Sequence, residues 1–416
     1  MNMTKPRCAP RWLLVVAVMA MFLAACGGGT AGTATTAGGG AGTSAPATET
    51  TAPSAGTTAP AADTTAPSTE TTAAAAGTTE ASGGEAYQVA LIYPGTADDL
   101  SWSNAWFDGA EQAMEANPNI TVESVELLND PAAVLQQGSA FASEGFDLIL
   151  IAHGAMVEPA LTLAQQFPDV QICLAPYNPA EGEEWPANLC WVDVAQHNAN
   201  FFAGALAAMV SESGHIASLN GFAFPALTRQ PEAFNLGARC VNPDITFSQQ
   251  YIETWTDTGI AKSAAQAEIA GGADVILSAT DSAVFGIIEA AAEADGQVWA
   301  VPSYYESQSL DPDHVMTSAI HGLAFASNEI IQAGAAGEIE ESAFIDFDAT
   351  NDPEIDAPLY DNIRAMLSAD ELAQYEDIVD KVRSGEITIP DETTGDPTIG
   401  TEGSGGEIDP ASIGCG

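Results

Sequence analysis

From residue 86 to about residue 390 the chain repeats one kind of unit: a short apolar run, a polar loop, then a longer stretch with helical spacing. "QVALIYP" leads into a helix expected over 102–116, "ITVESVELL" into one over 132–144 and "FDLILIAHG" into one over 158–167. "VQICLAP" and "LCWVDV" are the next strands. A second series opens with a helix at 198–211 and continues through "HIASLNGF", a helix at 232–240, "ITFSQQYI", a helix at 261–271, "ADVILSA", a helix at 284–294 and "QVWAVPS". Near-continuous apolar strands separated by helices specify an α/β chain whose parallel sheet is covered on both faces. A folded part of about 300 residues is too long for one such core, so two lobes are expected. In open sheets of this type ligands sit beyond the C-terminal ends of the strands, which two lobes can turn toward each other across a cleft.

The N-terminus follows a different logic. Lys5, Arg7 and Arg11 precede "WLLVVAVMAMFL", too short to span a bilayer comfortably, and the run ends in Leu23, Ala24, Ala25 and Cys26. A basic start, an apolar middle and small residues at the end describe a secretory signal over 1–25. The stretch Leu-Ala-Ala-Cys resembles a bacterial lipobox, which implies that Cys26 carries lipid and becomes the new N-terminus. Residues 26–84 are almost entirely Gly, Ala, Thr, Ser and Pro, a composition that cannot offset ordering entropy and is expected to form a disordered tether. Its ends would lie roughly 40 Å apart. "GGGTAG" within it matches G-x-G-x-x-G but has no strand before it and no helix after it, so it carries no nucleotide site.

The formal charge is −48; without Lys5, Arg7 and Arg11 six basic residues face 57 acidic ones, giving −51. Such a surface repels nucleic acid and anionic headgroups. It is read first as a solubility surface, as a salty habitat would favour. Four cysteines remain once Cys8 and Cys26 are set aside, an even number that suggests disulfides in an exported protein. Cys173 and Cys190 flank a short acidic loop between two strand-like runs and are paired here. Cys240 and Cys415 are what is left, and their pairing would pin the C-terminal tail. No C-x-x-C is present and the five histidines show no metal-ligand spacing, so neither metal nor cofactor is expected.

An enzyme needs a nucleophile, a base or a metal, and the folded part has no G-x-S-x-G, H-E-x-x-H or P-loop. His153 and His321 fall at loop or helix-entry positions without an identifiable partner. A binding site is better supported. Trp102 opens the first helix of the first lobe, and Trp255, in "YIETWTDTG", follows a strand of the second series in an equivalent position. Two indoles from opposite lobes can sandwich a flat, weakly polar ring. Asp281, in "LSATDSAVF", can accept hydrogen bonds from such a ring or can simply cap the helix that follows. Asp99, His153 and Tyr304 are candidates for the rim, whereas Trp106, Trp185, Trp191 and Trp299 are assigned to packing.

The stretches "DDLSWSNAWFDG", "NFFAGALAAMV", "NGFAFPALTRQPEAFNLGARCVNPD", "TWTDTGIAKSAAQAEIAGGADVI" and "ATDSAVFGIIEAAAE" resemble the basic membrane protein family of ABC-transporter substrate-binding lipoproteins, related to purine nucleoside receptors. The resemblance implies a type I periplasmic-binding fold, two Rossmann-like lobes with parallel sheets joined by a hinge near Val192 and Pro302. It assigns 85–192 plus about 303–340 to lobe 1, 193–302 plus about 341–395 to lobe 2, and 396–416 to a C-terminal tail. It also implies a small-molecule ligand, an ABC permease as partner, and a monomer held by lipid on the extracytoplasmic face of the cell membrane. Nucleoside-binding members carry Ser-Phe-Asn where this chain has Ser101, Trp102 and Ser103; their ribose-facing aspartate and lysine fall near Ser303 and at His321. A sub-branch with "TWFDP" and "HTDS" matches Trp102, Trp255 and Asp281 residue by residue and implies the free base adenine, although Ala279 replaces its histidine. A nucleoside receptor and a ligand-sensing lipoprotein partnering a membrane receptor stand as alternatives. A nucleoside hydrolase would need a ribose site and a catalytic cluster that the sequence does not supply.

Overall fold

The computed structural model describes residues 86–180, 182–223, 225–391 and 402–415. The signal, Cys26 and the tether lie outside these residues. In chain order the strands are β1 (Tyr87–Ile92), β2 (Ile120–Val125), β3 (Leu148–Ile151), β4 (Gln171–Leu174), β5 (Leu189–Val194), β6 (His215–Asn220), β7 (Thr246–Tyr251), β8 (Val275–Ala279), β9 (Trp299–Tyr304), β10 (Ala319–His321), β11 (Phe344–Phe347) and β12 (Ile355–Asp356). The helices are α1 (Trp102–Ala116), α2 (Pro131–Glu144), α3 (Val157–Gln166), α4 (Gln196–Val210), α5 (Pro225–Val241), α6 (Thr258–Ala270), α7 (Val284–Ala292), α8 (Leu323–Ala336), α9 (Asp361–Arg364), α10 (Ala369–Arg383) and α11 (Ser404–Glu407).

Two six-stranded sheets form, ordered β11-β5-β4-β3-β1-β2 and β12-β10-β9-β8-β6-β7. All pairings are parallel except β10 with β12. The two sheets therefore share one topology, and each reverses its winding between its first and third strands, the place where such sheets bind ligands. The central strands explain the apolar runs: every residue of β3 (LILI) and of β8 (VILSA) is buried. The edge strands β2 and β7 are half-exposed, which accounts for their mixed sequences. Helix starts follow local chemistry. The Asp130 side chain accepts from Ala133 N ahead of α2, Asp257 accepts from Gly259 N and Ile260 N ahead of α6, and Ser368 with Glu371 forms a capping box on α10.

Sheet membership corrects the expected boundaries. β9 and β10 both belong to the second sheet, because the link between them holds only a 3-10 turn at Gln308–Leu310 and Ala319 pairs directly with Ser303. Conversely, β11 returns to the first sheet beside β5. Val192 lies inside β5 just before the crossing at Ala195, whereas Pro302 lies inside β9, after which the chain stays in the same sheet. The chain passes between sheets at Ala195, at Gly322 and over 348–354. At Gly322 the backbone has φ +69, and a Cβ there would lie 2.0 Å from Asp352 Oδ2, so only glycine fits. Within 303–340, α8 does join the first lobe: Ser327 Oγ donates to Trp106 O at 2.8 Å, and a Cβ on Gly109 would lie 2.1 Å from Ala324 O.

Cys173 and Cys190 are direct partners in β4 and β5 and are joined by a disulfide, Cα–Cα 4.6 Å. A second disulfide, Cα–Cα 5.3 Å, ties Cys240 at the end of α5 to Cys415 in the tail. The tail lies against α5, where the buried Glu232 carboxylate accepts from Gly403 N and Gly405 N and Arg239 donates to Gly405 O and Ile408 O. No helix among the described residues is long and apolar enough to cross a membrane.

Candidate functional site at the lobe junction

The loops that follow β1, β3, β7 and β8, with the last residue of β9, carry the residues singled out in the sequence. Trp102 stands at the start of α1, and its indole Nε1 donates to Ala152 O at 2.8 Å, just beyond β3. That bond spans the winding reversal of the first sheet. Its ring meets Trp106 at 5.8 Å and, from the second lobe, Tyr304 edge-on at 6.0 Å and 87°. Tyr304 ends β9 with φ +78, an unusual conformation for a tyrosine, and its other edge contact is His321 at 4.8 Å. Burial, followed by the charge of Asp281, raises the Tyr304 phenol far above its ordinary range, so it stays protonated.

Asp281 follows β8 and reaches across the junction, where Ser101 Oγ donates to its Oδ1 at 3.0 Å. Burial first, and the charge of Asp99 second, push the Asp281 carboxyl up to about 7, against a smaller lowering by Ser101. The group is therefore poised to accept hydrogen bonds when ionised and to donate one when protonated. Trp255 lies in the loop after β7. Its carbonyl accepts from Ala283 N at 3.0 Å, which fixes it to the Asp281 loop, and its ring meets Phe222 at 5.2 Å. The ring also rests on Gly221, where a Cβ would come within 2.2 Å of it. The bonds Ser101–Asp281 and Ala283–Trp255 gather the Trp102, Asp281 and Trp255 loops at one junction, though the nearest ring partners of the two indoles are Tyr304 with Trp106 and Phe222 respectively.

Asp99 caps the first turn of α1: Oδ1 accepts from Ser101 N and Asn104 N, and Oδ2 from Ser103 N. Among the rim candidates it acts on the site through Asp281. His153 sits beside Ala152 with Nδ1 accepting weakly from Ala155 N at 3.4 Å, and burial lowers its pKa, favouring the neutral ring.

Beneath these loops lies a buried polar layer that the sequence reading passed over. Arg229 of α5 makes a two-pronged contact with Asp193 of β5, both distances 2.6 Å, and donates also to Val194 O. It joins the second lobe to the first. Gln230 Nε2 donates to Gln196 Oε1, and His321 Nε2 meets Asn200 Oδ1 at 3.0 Å. Burial, with the nearby charge of Arg229, brings His321 down to about 3, so it is neutral. One signal was present: Arg229 is among very few basic residues in the folded part and stands in an otherwise weakly polar run, "FPALTRQPEAF".

Two surface depressions lie elsewhere. One of about 680 Å³ is lined by Tyr251, Glu253, Asp257 and Ile260; one of about 650 Å³ by Tyr87, Asp147, Gln171 and Asn188. Neither includes Trp102, Asp281 or Tyr304. No group of histidine, cysteine and acidic residues able to hold a metal ion occurs among the described residues.

The fold is that of solved solute-binding proteins. An ABC transporter solute-binding protein from Aeropyrum pernix superimposes with TM-score 0.63 at 18% identity, covering 73% of this chain and 93% of that one. One from Conexibacter woesei gives 0.59 at 21%, covering 74% and 99%. Among curated relatives, a putative ABC transporter glucose-binding protein of Haloferax volcanii is 31% identical over 52% of this chain and 53% of its own length. Basic membrane protein A of Borreliella burgdorferi is 27% identical over 59% and 71%, and a purine-binding protein of Brucella abortus 26% over 48% and 55%. The chain thus spans little more than half the length of two of these three. The family model described as ABC transporter substrate-binding protein PnrA-like matches residues 86–393, nearly the whole region of alternating strands and helices. The chain belongs to that family, Bmp.

Proposed function

We propose that this chain is the extracytoplasmic solute-binding component of an ABC importer, held to the membrane by lipid on Cys26, and that it captures a purine-like nucleobase, adenine in first place, for delivery to a permease. The observation that carries this is the meeting of Trp102, Tyr304 and Asp281 at the ends of strands from both sheets, linked by the Ser101–Asp281 bond. In this account Trp102 and Trp255 supply flat apolar surface to the ring, and Asp281 reads its N–H and amino edge. A carboxyl near 7 discriminates by hydrogen bonding without demanding a charged ligand. His153 and Tyr304 complete the rim. A binding activity fits the substrate-binding family to which the chain belongs.

The relative named for purine binding supports the choice of ring, and the relative named for glucose supplies the competing solute. The test is equilibrium binding of adenine, adenosine and glucose to the parent protein and to Trp102→Ala and Trp255→Ala. Each substitution should weaken base binding about tenfold or more, the scale of a buried aromatic anchor. Unchanged affinity in both would remove the aromatic clamp; glucose binding alone would keep the fold and replace the ligand.

A further inference from the structure

We propose that Tyr304 sets the specificity of the site: its ring walls off a buried layer of unpaired polar atoms, so that a bare base fits against Trp102 while the hydroxyl-bearing part of a nucleoside is shut out. The inference rests on the nucleobase reading given above and names the residue that makes the choice.

Tyr304 holds a position that its own backbone resists. It ends β9 with φ +78, a conformation that glycine takes freely and tyrosine rarely, and it is only 5% exposed. A ring needed merely to fill the core could be carried on ordinary strand backbone, whereas residues held in this region gather at ligand sites. The ring bridges the lobes. It stands edge-on to Trp102 of the first lobe at 6.0 Å and edge-on to His321 of the second at 4.8 Å. Asp281 and Gln230 both act on its phenol. A flat ligand laid against Trp102 and read by Asp281 therefore has Tyr304 as its neighbour on the side of His321.

His321 and its surroundings carry four buried polar atoms without a hydrogen-bond partner: Ser303 Oγ, His321 Nδ1, Asn200 Nδ2 and Gln230 Oε1. All four residues are buried. Ser303 pairs with Ala319, two residues before His321 in β10, so Ser303 and His321 share one face of the sheet. Asn200 is joined to His321 through its Oδ1, and Gln230 to Gln196 through its Nε2. The contact with Asn200 Oδ1 makes Nε2 the protonated nitrogen of the neutral His321 ring, which leaves Nδ1 an acceptor. The layer thus offers one amide donor, two acceptors and a hydroxyl that serves as either. Buried polar groups are as a rule satisfied, and a mixed set of this kind matches the hydroxyls of a sugar, which both donate and accept. The Tyr304 ring, set between Trp102 and His321, keeps those hydroxyls from reaching it.

Calorimetric titration of adenine and adenosine onto the parent and onto Tyr304→Gly, Tyr304→Asn and Tyr304→Phe tests this, with melting curves to show that each variant folds. Glycine and asparagine both accept the left-handed backbone. The ratio of adenosine to adenine affinity should rise about tenfold or more in Tyr304→Gly and Tyr304→Asn, and stay at the parent's value in Tyr304→Phe, which keeps the ring. An unchanged ratio in folded Tyr304→Gly or Tyr304→Asn, or an equal rise in Tyr304→Phe, overturns the role of Tyr304 and leaves the nucleobase reading standing. The parent supplies a second measurement that needs no variant. In its crystal structure with adenine, the ring nitrogen that bears ribose in adenosine should face Tyr304, and that nitrogen turned away from Tyr304 overturns the inference. A parent that binds no adenine overturns the nucleobase reading and this inference together.

Discussion

Ser101 donates its hydroxyl to Asp281 across the junction of two sheets, at 3.0 Å, although 180 residues separate them in the chain. The bond joins the residue before Trp102 to the carboxyl proposed here to read a ligand.

The pH dependence of stability follows in sign. The Asp281 carboxyl is raised to about 7 in the folded protein, above the value near 4 of an unfolded aspartate. Its contribution is therefore full below about pH 4 and is lost as pH rises through about 7. Buried His197 and His321, held at about 4 and about 3, work the opposite way and lose stability as pH falls below the usual histidine range. A difference measurement isolates Asp281. Melting temperatures of Asp281→Asn and the parent should agree near pH 4, diverge in favour of the variant up to about pH 7, and stay parallel above pH 8.

Gly221 gives access to Trp255 without touching it. A Cβ at 221 would lie 2.2 Å from the indole ring, so Gly221→Ala must displace the ring. Ligand affinity should fall by about tenfold, as for loss of an aromatic anchor, while circular dichroism stays that of the parent. Parent-like affinity would take Trp255 out of the site.

The Arg229–Asp193 contact joins the lobes in a setting where both side chains are about 2% exposed. Removing one partner leaves a buried charge unpaired, so Arg229→Leu should cost about 3–5 kcal/mol in denaturant unfolding, and Arg229→Leu with Asp193→Leu distinctly less. Equal losses in the single and double variants would mean that packing, not charge, is the cause.

The tail is the fourth target. The Cys240–Cys415 bond closes a loop of 175 residues and anchors Cys415, which lies beyond the residues matched by the family model. Cys415→Ser should lower stability by about 2–4 kcal/mol and make the 402–415 segment exchange its amide protons faster, leaving ligand affinity intact.

Strands and helices were legible because fully buried runs such as "LILI" and "VILS" fit only a covered parallel sheet. The lobe boundaries were not, since β9 and β10 stay in one sheet through a helix-free link and β11 returns through pairing that leaves no local pattern. Trp102, Asp281 and Trp255 were singled out from position after a strand, and the structure brings their loops to one junction. The capping role of Asp99 was not legible, because an aspartate five residues before a helical backbone amide looks the same whether it caps the helix or faces a ligand; the structure shows its bonds to Ser101, Ser103 and Asn104. Arg229 and its layer were missed because their partners, Asp193 and Val194, lie more than thirty residues away on the other lobe.

The most direct test of the central claim is calorimetric titration of the purified protein with adenine and, separately, with adenosine. The account predicts saturable one-to-one binding of adenine and markedly weaker binding of adenosine, because neutral His321 and Ser303 offer no charged partner to a ribose. Adenosine bound as tightly as adenine, or neither bound while glucose binds, would contradict it.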